Sequence, residues 1–221
     1  MKTPKFIYFD VGGVVLLDFS GTNKWDEMLE AIGVNAANRE RFQEVWDKSE
    51  DRRCIDYDID LMIPELREYV GLPIDKDFSL LQEFVKRFEP NPSIWPVIKY
   101  AKENYKIGLL TDQYPRMLAE IYRRGDLMPN IDWDVVVDSS VVKLQKNGLE
   151  IFKLAQNVSN IENPEELLFV DNSESKLVHA RKLGWQTFLY DPVHAKKSSK
   201  QLSTLLEIRI QRLNDIKLDL M

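Results

Sequence analysis

After residue 90, the chain alternates between short unbroken apolar runs and segments whose apolar residues recur every three or four positions. The unbroken runs predict strands at residues 106–111, 135–138, 167–171 and 186–190. The helical spacing predicts helices at residues 94–104, 114–125, 149–158, 175–183 and 201–213. Helices that alternate with uninterrupted apolar strands are typical of a parallel sheet that is covered on both faces.

The stretch KFIYFDVGGVVLL, residues 5–17, predicts one further strand near the start of the chain. Its first apolar run leads to Asp10 and is broken by Gly12 and Gly13, which indicates a tight turn. Open α/β sheets bind ligands beyond the carboxyl ends of their strands, where Asp10 is expected. The glycines let the backbone approach such a ligand closely. Alternatively, Asp10 caps the turn with its own side chain.

Residues 18–89 carry apolar residues at helical spacing and hardly any strand pattern. This change predicts a small all-helical domain inserted after the first strand. The predicted fold class is therefore α/β, a Rossmann-like doubly wound parallel sheet with a helical insertion. The core is expected to comprise residues 1–17 and 90–221, and the helical domain residues 18–89.

Composition excludes several classes of function. The net charge of −6 argues against binding to nucleic acid, which depends on neutralising phosphates. The single cysteine, Cys54, excludes an internal disulfide and suits a reducing cytosol. No apolar stretch reaches the ~18 residues of a membrane span, and the chain begins directly with a strand rather than a signal peptide. A cytoplasmic protein without membrane contact is expected.

Polar residues mark the ends of the predicted strands. They are Asp10, Thr111, Asp138 with Ser139 and Ser140, and Asp171 with Asn172. The carboxyl ends of parallel strands share one edge of the sheet, so these side chains are expected to gather there, and Lys146 follows closely enough to join them. Carboxylates, a hydroxyl and a lysine around backbone N–H groups suit a phosphate and Mg²⁺. An aspartate can also attack phosphorus and form an aspartyl-phosphate.

Each of these residues, taken alone, has a simpler explanation. Asp171 and Asn172 can cap the helix that follows them. Thr111 is a common strand residue, and Lys143 and Lys146 can be solvated surface charges.

Four motifs together resemble those of the haloacid dehalogenase superfamily of hydrolases. The first, FDVGGVVL, places Asp10 at the position of the family's nucleophile, and the second, LLTD, places Thr111 at its phosphate-binding hydroxyl. In SSVVKLQKNGLEIF, the spacing to the following Ile-Phe pair favours Lys146 over Lys143 as the family's lysine. The fourth motif, LLFVDNSESKLVHARKLGW, places Asp171 at the acidic position. The helical insertion resembles the cap that some members carry between their first two motifs.

The resemblance implies a phosphatase that acts on a small phosphorylated metabolite through an aspartyl-phosphate. Asp10 would attack phosphorus while Thr111 and Lys146 hold its oxygens, and the cap would exclude water. The resemblance also implies two sets of site residues. The phosphate-binding set is Gly12, Gly13, Thr111, Asp112 and Lys146. The Mg²⁺ set is Asp10, the backbone carbonyl of Gly12, Asp171 and Asn172. A monomer or a homodimer is expected.

Two positions depart from the family's pattern. Gly12 stands where most phosphatases of the family have a second aspartate that acts as general acid and base, help worth roughly a hundred- to ten-thousand-fold in rate. Asp18, eight positions after Asp10, is a carboxylate that could in principle give this help. Asn172 stands where relatives usually place a second carboxylate for the metal. These changes are compatible with a slow enzyme or with one that has lost catalysis.

Two alternative functions remain open. Haloacid dehalogenases of the superfamily carry a large residue, typically tyrosine, at the position of Gly12 and need no metal, so Gly12 and Asp171 argue against that chemistry. The other alternative is a non-catalytic phosphate-binding or regulatory protein that kept the fold.

Overall fold

A computed structural model of the chain describes residues 2–219, with side chains described for residues 2–207. The strands are β1 (Phe6–Phe9), β2 (Leu16–Leu17), β3 (Glu89–Pro90), β4 (Lys106–Thr111), β5 (Val135–Asp138), β6 (Leu167–Asp171) and β7 (Gln186–Leu189). The α-helices are α1 (Lys24–Ala31), α2 (Arg39–Asp47), α3 (Ile63–Glu68), α4 (Leu80–Lys86), α5 (Trp95–Asn104), α6 (Met117–Arg124), α7 (Ser139–Val142), α8 (Glu150–Ser159), α9 (Glu174–Lys182) and α10 (Ala195–Asp219). Short 3₁₀ turns lie at Ile59–Met62 and Pro164–Glu166.

The main sheet has five strands in the order β5-β4-β1-β6-β7. All neighbouring pairs are parallel, and Phe6 of β1 pairs with Lys106 on one side and Leu167 on the other. The first strand of the chain is therefore the centre of the sheet, and the carboxyl ends of β1, β4 and β6 lie side by side.

Successive residues of β1 point to opposite faces of the sheet and enter two different apolar clusters. Ile7 and Phe9 join α5, α6, α10 and the helices of the insertion on one face. Phe6 and Tyr8 join α8 and α9 on the other, where the Tyr8 hydroxyl donates a hydrogen bond of 2.7 Å to the carbonyl of Ala155. Burial on both faces explains why the strand is an unbroken apolar run. The predicted doubly wound α/β class is confirmed.

Helices α1–α4, here called the helical insert, lie between β2 and β3. These two strands pair antiparallel, with Leu16 opposite Pro90, so the chain leaves the sheet and returns to it at one place. Between them, the described residues form helices and turns without a strand. The division into two domains at residues 18–89 stays a prediction, because apolar residues of the insert belong to the same cluster as one face of the sheet.

The structure also contains elements that the apolar pattern did not predict. Strands β2 and β3 have two residues each, and α7 has four, which is too short for any periodicity to show. Helix α6 begins at Met117, later than residue 114, because Arg116 before it has a positive φ of 69° and cannot extend the helix. Across the described residues, we find no helix with the length and apolar character needed to cross a bilayer.

Candidate active site

The centre of the site is a buried lysine that lies between two buried aspartates. Asp10 directly follows β1, and Asp171 ends the neighbouring strand β6. Lys146 Nζ lies 2.9 Å from Asp10 Oδ1 and 2.7 Å from Asp171 Oδ2. One ammonium thus contacts two carboxylates. The three side chains together carry a net negative charge whenever both aspartates are ionised.

Burial and mutual contact shift the pKa values within this trio. Burial raises the pKa of Asp10 to about 7; the charge of Lys146 opposes this rise and that of Asp171 adds to it. Burial alone would lower the pKa of Lys146, but the Asp10 and Asp171 carboxylates hold it above the usual lysine range. Lys146 therefore remains a cation that can hold an anionic oxygen at neutral pH.

Backbone hydrogen bonds hold Asp10 at the carboxyl-terminal edge of the sheet. The Asp10 N–H donates to the carbonyl of Val170 at 2.9 Å, which continues the pairing of β1 with β6. Asp10 Oδ1 accepts a hydrogen bond of 2.8 Å from the N–H of Val11 and also receives the Lys146 contact. Both of these contacts use one oxygen, which favours Oδ2 as the oxygen that meets a ligand.

The loop that carries Lys146 is held by Asp112. One oxygen of Asp112 accepts a hydrogen bond of 2.9 Å from the N–H of Lys146, and the other lies 3.1 Å from Lys176 Nζ. Lys143 lies elsewhere, because its ammonium donates to the carbonyl of Ile55 at 2.9 Å. The structure thus places Lys146, and not Lys143, between the two aspartates.

Thr111 ends β4 and is completely buried beside Asp10. Its hydroxyl accepts a hydrogen bond of 2.8 Å from Gln113 Nε2, and its hydrogen bond to Asp10 acts to lower the pKa of that carboxyl. Gln113 itself is fixed by a hydrogen bond of 3.0 Å from its N–H to Ser139 Oγ. Thr111 therefore contacts Asp10 but does not itself line the cavity, whereas Gln113, which covers its hydroxyl with a hydrogen bond, does.

The turn after β1 brings Gly13 against Asn172. Gly13 has a φ of +72°, and a Cβ there would overlap the Asn172 amide. Asn172 Nδ2 donates a hydrogen bond of 2.9 Å to Ser20 Oγ. Asp171 Oδ1 accepts from the Ser173 N–H at 2.7 Å, whereas α9 has Ser173 as its N-cap and no side-chain cap. Asp171 therefore holds the turn before α9, and Asn172 faces the glycine turn.

A cavity of ≈ 460 Å³ opens over this centre. One end is polar and includes Asp10, Gly12, Asp18, Asp112, Lys146, Asp171, Asn172 and Lys176. Most of the other lining residues are apolar, and we call them the apolar wall; they include Trp25 of α1, Phe84 of α4 and Met117 and Ile121 of α6. From the loop at 51–58, Cys54 lines the cavity, and burial raises its pKa to about 12, so the thiol stays protonated. Arg53, the residue before Cys54, does not line the cavity, and its guanidinium carbon lies 4.1 Å from the ring centre of Trp46.

The donor atoms at the polar end fit Mg²⁺. The described residues contain no group of three or more His, Cys, Asp or Glu side chains placed to hold a metal. Mg²⁺ usually takes one or two carboxylates and completes its shell with water and substrate phosphate. Asp10 and Asp171 supply two carboxylates, and the Asn172 side chain and the Gly12 carbonyl offer neutral oxygens, which is sufficient for that mode of binding.

Sequence reasoning missed two polar residues of the site, Gln113 and Lys176. Lys176 lies in the first turn of α9, five positions after Asp171, and its spacing from the strand end is the only signal that could have indicated it. Gln113 follows the LLTD motif, but its contact with Thr111 depends on how the chain turns after β4.

Comparison with solved structures finds several proteins of similar fold. A HAD family enzyme from Bacteroides thetaiotaomicron, 18% identical, superposes with a TM-score of 0.66 over 86% of this chain and 94% of that chain. A predicted HAD-like family hydrolase from Porphyromonas gingivalis, 22% identical, gives 0.64 over 86% and 92%. The L-2-haloacid dehalogenase of Xanthobacter autotrophicus, 18% identical, gives 0.59 over 85% and 78%.

No protein-family model matches the sequence, and no curated protein does. The likeness therefore rests on the sheet, its helices and their order, and it confirms what the four motifs implied about architecture. The chain has the fold of the haloacid dehalogenase superfamily.

Proposed function

We propose that this chain is a Mg²⁺-dependent phosphatase that acts on a small phosphorylated metabolite. The observation that carries the proposal is the buried Lys146 between Asp10 and Asp171 at the polar end of a cavity. This arrangement offers a nucleophile, a fixed positive charge for phosphoryl oxygens and a second carboxylate for a cation.

In the proposed reaction, Asp10 attacks the phosphorus of a monoester and forms an aspartyl-phosphate, which water then hydrolyses. Lys146 and the Thr111 hydroxyl hold the phosphoryl oxygens, which requires the Gln113 side chain to leave that hydroxyl. The backbone of Gly12, Gly13 and Asp112 completes the phosphate site, and Gly12 and Asp112 line the cavity. Positioning and charge stabilisation supply most of the rate. The helical insert acts as a cap that shields the intermediate from bulk water.

Asp10, the Gly12 carbonyl, Asp171 and Asn172 would hold Mg²⁺. When bound, the ion neutralises charge on the phosphoryl oxygens. One structural neighbour, the enzyme from Bacteroides thetaiotaomicron, has been solved with magnesium and inorganic phosphate, which supports this choice of ion and ligand.

A haloacid dehalogenase is the alternative, because two such enzymes are among the structural neighbours and the cavity has an apolar wall. Against it, the space beside Gly12 is taken by a carboxylate rather than by a large side chain. A non-catalytic phosphate-binding protein is the third possibility.

One set of assays separates these functions. Phosphate release from p-nitrophenyl phosphate is measured in Mg²⁺ and in EDTA, beside chloride release from 2-chloropropionate. The proposal expects Mg²⁺-dependent phosphate release that Asp10→Asn abolishes without lowering the melting temperature. Chloride release without metal would establish the dehalogenase, and phosphate binding without turnover would establish the non-catalytic protein.

A further inference from the structure

The side chain of Asp18 occupies the space that a side chain at position 12 would fill. A Cβ placed on Gly12 would lie 2.5 Å from Asp18 Oδ2 and 3.2 Å from its carboxyl carbon. The turn after β1 produces this approach, because the chain folds back so that Gly12 bridges to Leu16, two positions before Asp18. Both Gly12 and Asp18 line the cavity that contains Asp10.

The backbone at Gly12 does not itself require glycine. Gly13 has a positive φ, but Gly12 is not among the glycines that do. An L-residue could therefore adopt the backbone conformation of Gly12, and the obstacle is the Asp18 carboxylate. The absence of a side chain at position 12 makes room for Asp18 in the lining of the cavity that contains Asp10.

Asp18 also differs from the other carboxylates of the cavity in its contacts. Asp10 and Asp171 share Lys146, and Asp112 contacts Lys176. Asp18 Oδ1 accepts a hydrogen bond of 2.9 Å from the Ser20 N–H, which fixes the side chain. Among the described ion pairs, none involves Asp18, so Oδ2 is left to the cavity.

We propose that Asp18 is the proton donor and acceptor of the reaction, in place of the missing side chain at position 12. The inference rests on the proposed phosphatase function. As Asp10 Oδ2 bonds to phosphorus and the P–O ester bond breaks, the Asp18 carboxyl gives its proton to the leaving oxygen, which departs as an alcohol. The Asp18 carboxylate then takes a proton from the water that attacks the aspartyl-phosphate. Phosphate leaves, and both aspartates return to their starting state.

Two substrates of similar size separate proton donation from a structural role. The leaving oxygen of benzyl phosphate needs a proton, whereas p-nitrophenolate is stable without one. In Asp18→Asn, the amide oxygen can still accept from the Ser20 N–H, but no acid remains. We expect kcat/KM, which reports formation of the aspartyl-phosphate, to fall at least about 100-fold for benzyl phosphate and less than about 10-fold for p-nitrophenyl phosphate. Asp75→Asn, at an exposed position, is the matched control and should leave both values unchanged.

A swap of the two positions gives a gain-of-function test. Asp18→Gly removes both the acid and the obstacle, and the double variant Gly12→Asp with Asp18→Gly places a carboxylate in the vacated space. On benzyl phosphate, the double variant should be at least about 10-fold more active than Asp18→Gly. Gly12→Asp alone keeps Asp18, so it should gain no activity over the wild-type chain, and it should melt at a lower temperature because its Cβ meets Asp18.

The outcomes are distinct. Equal losses on both substrates, or no loss on benzyl phosphate, would overturn the role of Asp18 while the phosphatase function stands. If the wild-type chain hydrolyses neither ester and Asp10→Asn changes nothing, the proposed function fails, and the role of Asp18 fails with it.

A second observation concerns the apolar wall of the cavity. Phe19, directly after Asp18, lies with its ring centre 5.1 Å from that of Phe84, 5.9 Å from Phe88 and 6.5 Å from Trp25. All four of these aromatic residues line the cavity, and Met117 and Ile121 extend the same surface. Hydroxyl groups of a sugar placed against this wall would lose hydrogen bonds to water without replacement.

From this wall we infer that the organic group of the substrate is apolar, an aryl or alkyl group rather than a sugar. This inference also rests on the proposed function. The test compares kcat/KM for benzyl phosphate and glucose 6-phosphate, with an expected preference of at least about 10-fold for the former. Phe19→Ala should raise KM for benzyl phosphate about 10-fold, while Phe19→Leu, which keeps an apolar contact, should change it less. Preferred hydrolysis of glucose 6-phosphate would overturn the inference and leave the phosphatase function intact.

Discussion

Arg116 and Asp58 form a two-point ion pair that joins α6 to the chain of the helical insert. Arg116 Nε and Nη2 lie 2.6 and 2.7 Å from the two oxygens of Asp58, and Nη2 also lies 2.8 Å from Asp60. Arg116 has a positive φ of 69°, which is uncommon for a residue with a side chain, so this contact coincides with a strained backbone. The pair therefore fixes the segment between α2 and α3 to the start of α6.

The first prediction is that this ion pair makes the free energy of unfolding depend on pH below about pH 4. Burial would raise the pKa of Asp58, but hydrogen bonds from Arg116 and the Asp60 N–H outweigh it and lower the pKa. A carboxyl whose pKa is lower in the folded chain stabilises it above the unfolded-state pKa of about 4, and this contribution is lost as pH falls further. Asp58→Asn should lower the free energy of unfolding by about 1 kcal/mol at pH 7 and by less as pH falls below 4.

Urea unfolding at pH 7, 5 and 3 measures this difference, with exposed Asp75→Asn as the control. Asparagine at position 58 can still accept the hydrogen bond from the Asp60 N–H, so the capping contact is kept. A difference that is constant over this pH range would contradict the assignment of the effect to the ion pair.

The second prediction concerns the charge at the centre of the site. Lys146→Met leaves Asp10 and Asp171 buried without their shared partner. Removing one partner of a buried ion pair typically costs about 3–5 kcal/mol, so we expect a loss of that size at pH 7, together with loss of phosphatase activity. Chemical denaturation in EDTA provides the measurement. Lys143→Met, which removes an ammonium that contacts only carbonyls among the described residues, should cost much less; equal costs would show that Lys146 has no special role.

The third prediction concerns Asn172 as a ligand of Mg²⁺. Asn172→Asp adds a third negative charge to the donor set at nearly constant shape, and the Ser20 hydroxyl can reverse its hydrogen bond to donate to the new carboxylate. Mg²⁺ prefers charged oxygens, so its affinity should rise at least about fivefold, equivalent to about 1 kcal/mol. Isothermal titration calorimetry with MgCl₂ tests this directly, without reference to turnover. Unchanged or weaker affinity would mean that Asn172 does not face the metal.

The fourth prediction separates backbone strain from the contact between Gly13 and Asn172. Gly13 and Gly71 both have positive φ, at +72° and +79°, but a Cβ on Gly71 would meet nothing within 4 Å. Gly71→Ala should therefore show the conformational cost alone, about 1–2 kcal/mol. Gly13→Ala should cost at least about 1 kcal/mol more, since overpacking of a filled space adds that much. Thermal melts of the two variants give the comparison, and equal melting temperatures would rule out the contact.

The sequence predicted the parts of the site that depend on strand ends. Asp10, Thr111 and Asp171 end or follow apolar runs, and parallel pairing of those runs brings the three together whatever the loops do. Lys146 was favoured by its spacing to Ile151 and Phe152, and both of these are buried in the cluster on one face of the sheet.

Contacts that depend on loop geometry could not be predicted. The approach of Asp18 to Gly12 depends on a fold-back at residues 12–16, and the Arg116 pair depends on one residue with positive φ. Neither has a periodic signature, because each is fixed by contacts between segments rather than by local propensity. The roles proposed for the site residues are tested by the experiments above.

The central position of β1 has a consequence for how the chain folds during synthesis. Phe6 pairs with Lys106 and Leu167, so β1 is made about 100 and 160 residues before its two partners. A nascent chain that stops before residue 106 exposes a short β-prone apolar segment with no strand to pair with in the main sheet, while the helices of the insert need only local contacts. That segment gains its first partner when β4 has been made and its second when β6 has been made, so until then it is open to pairing with other chains.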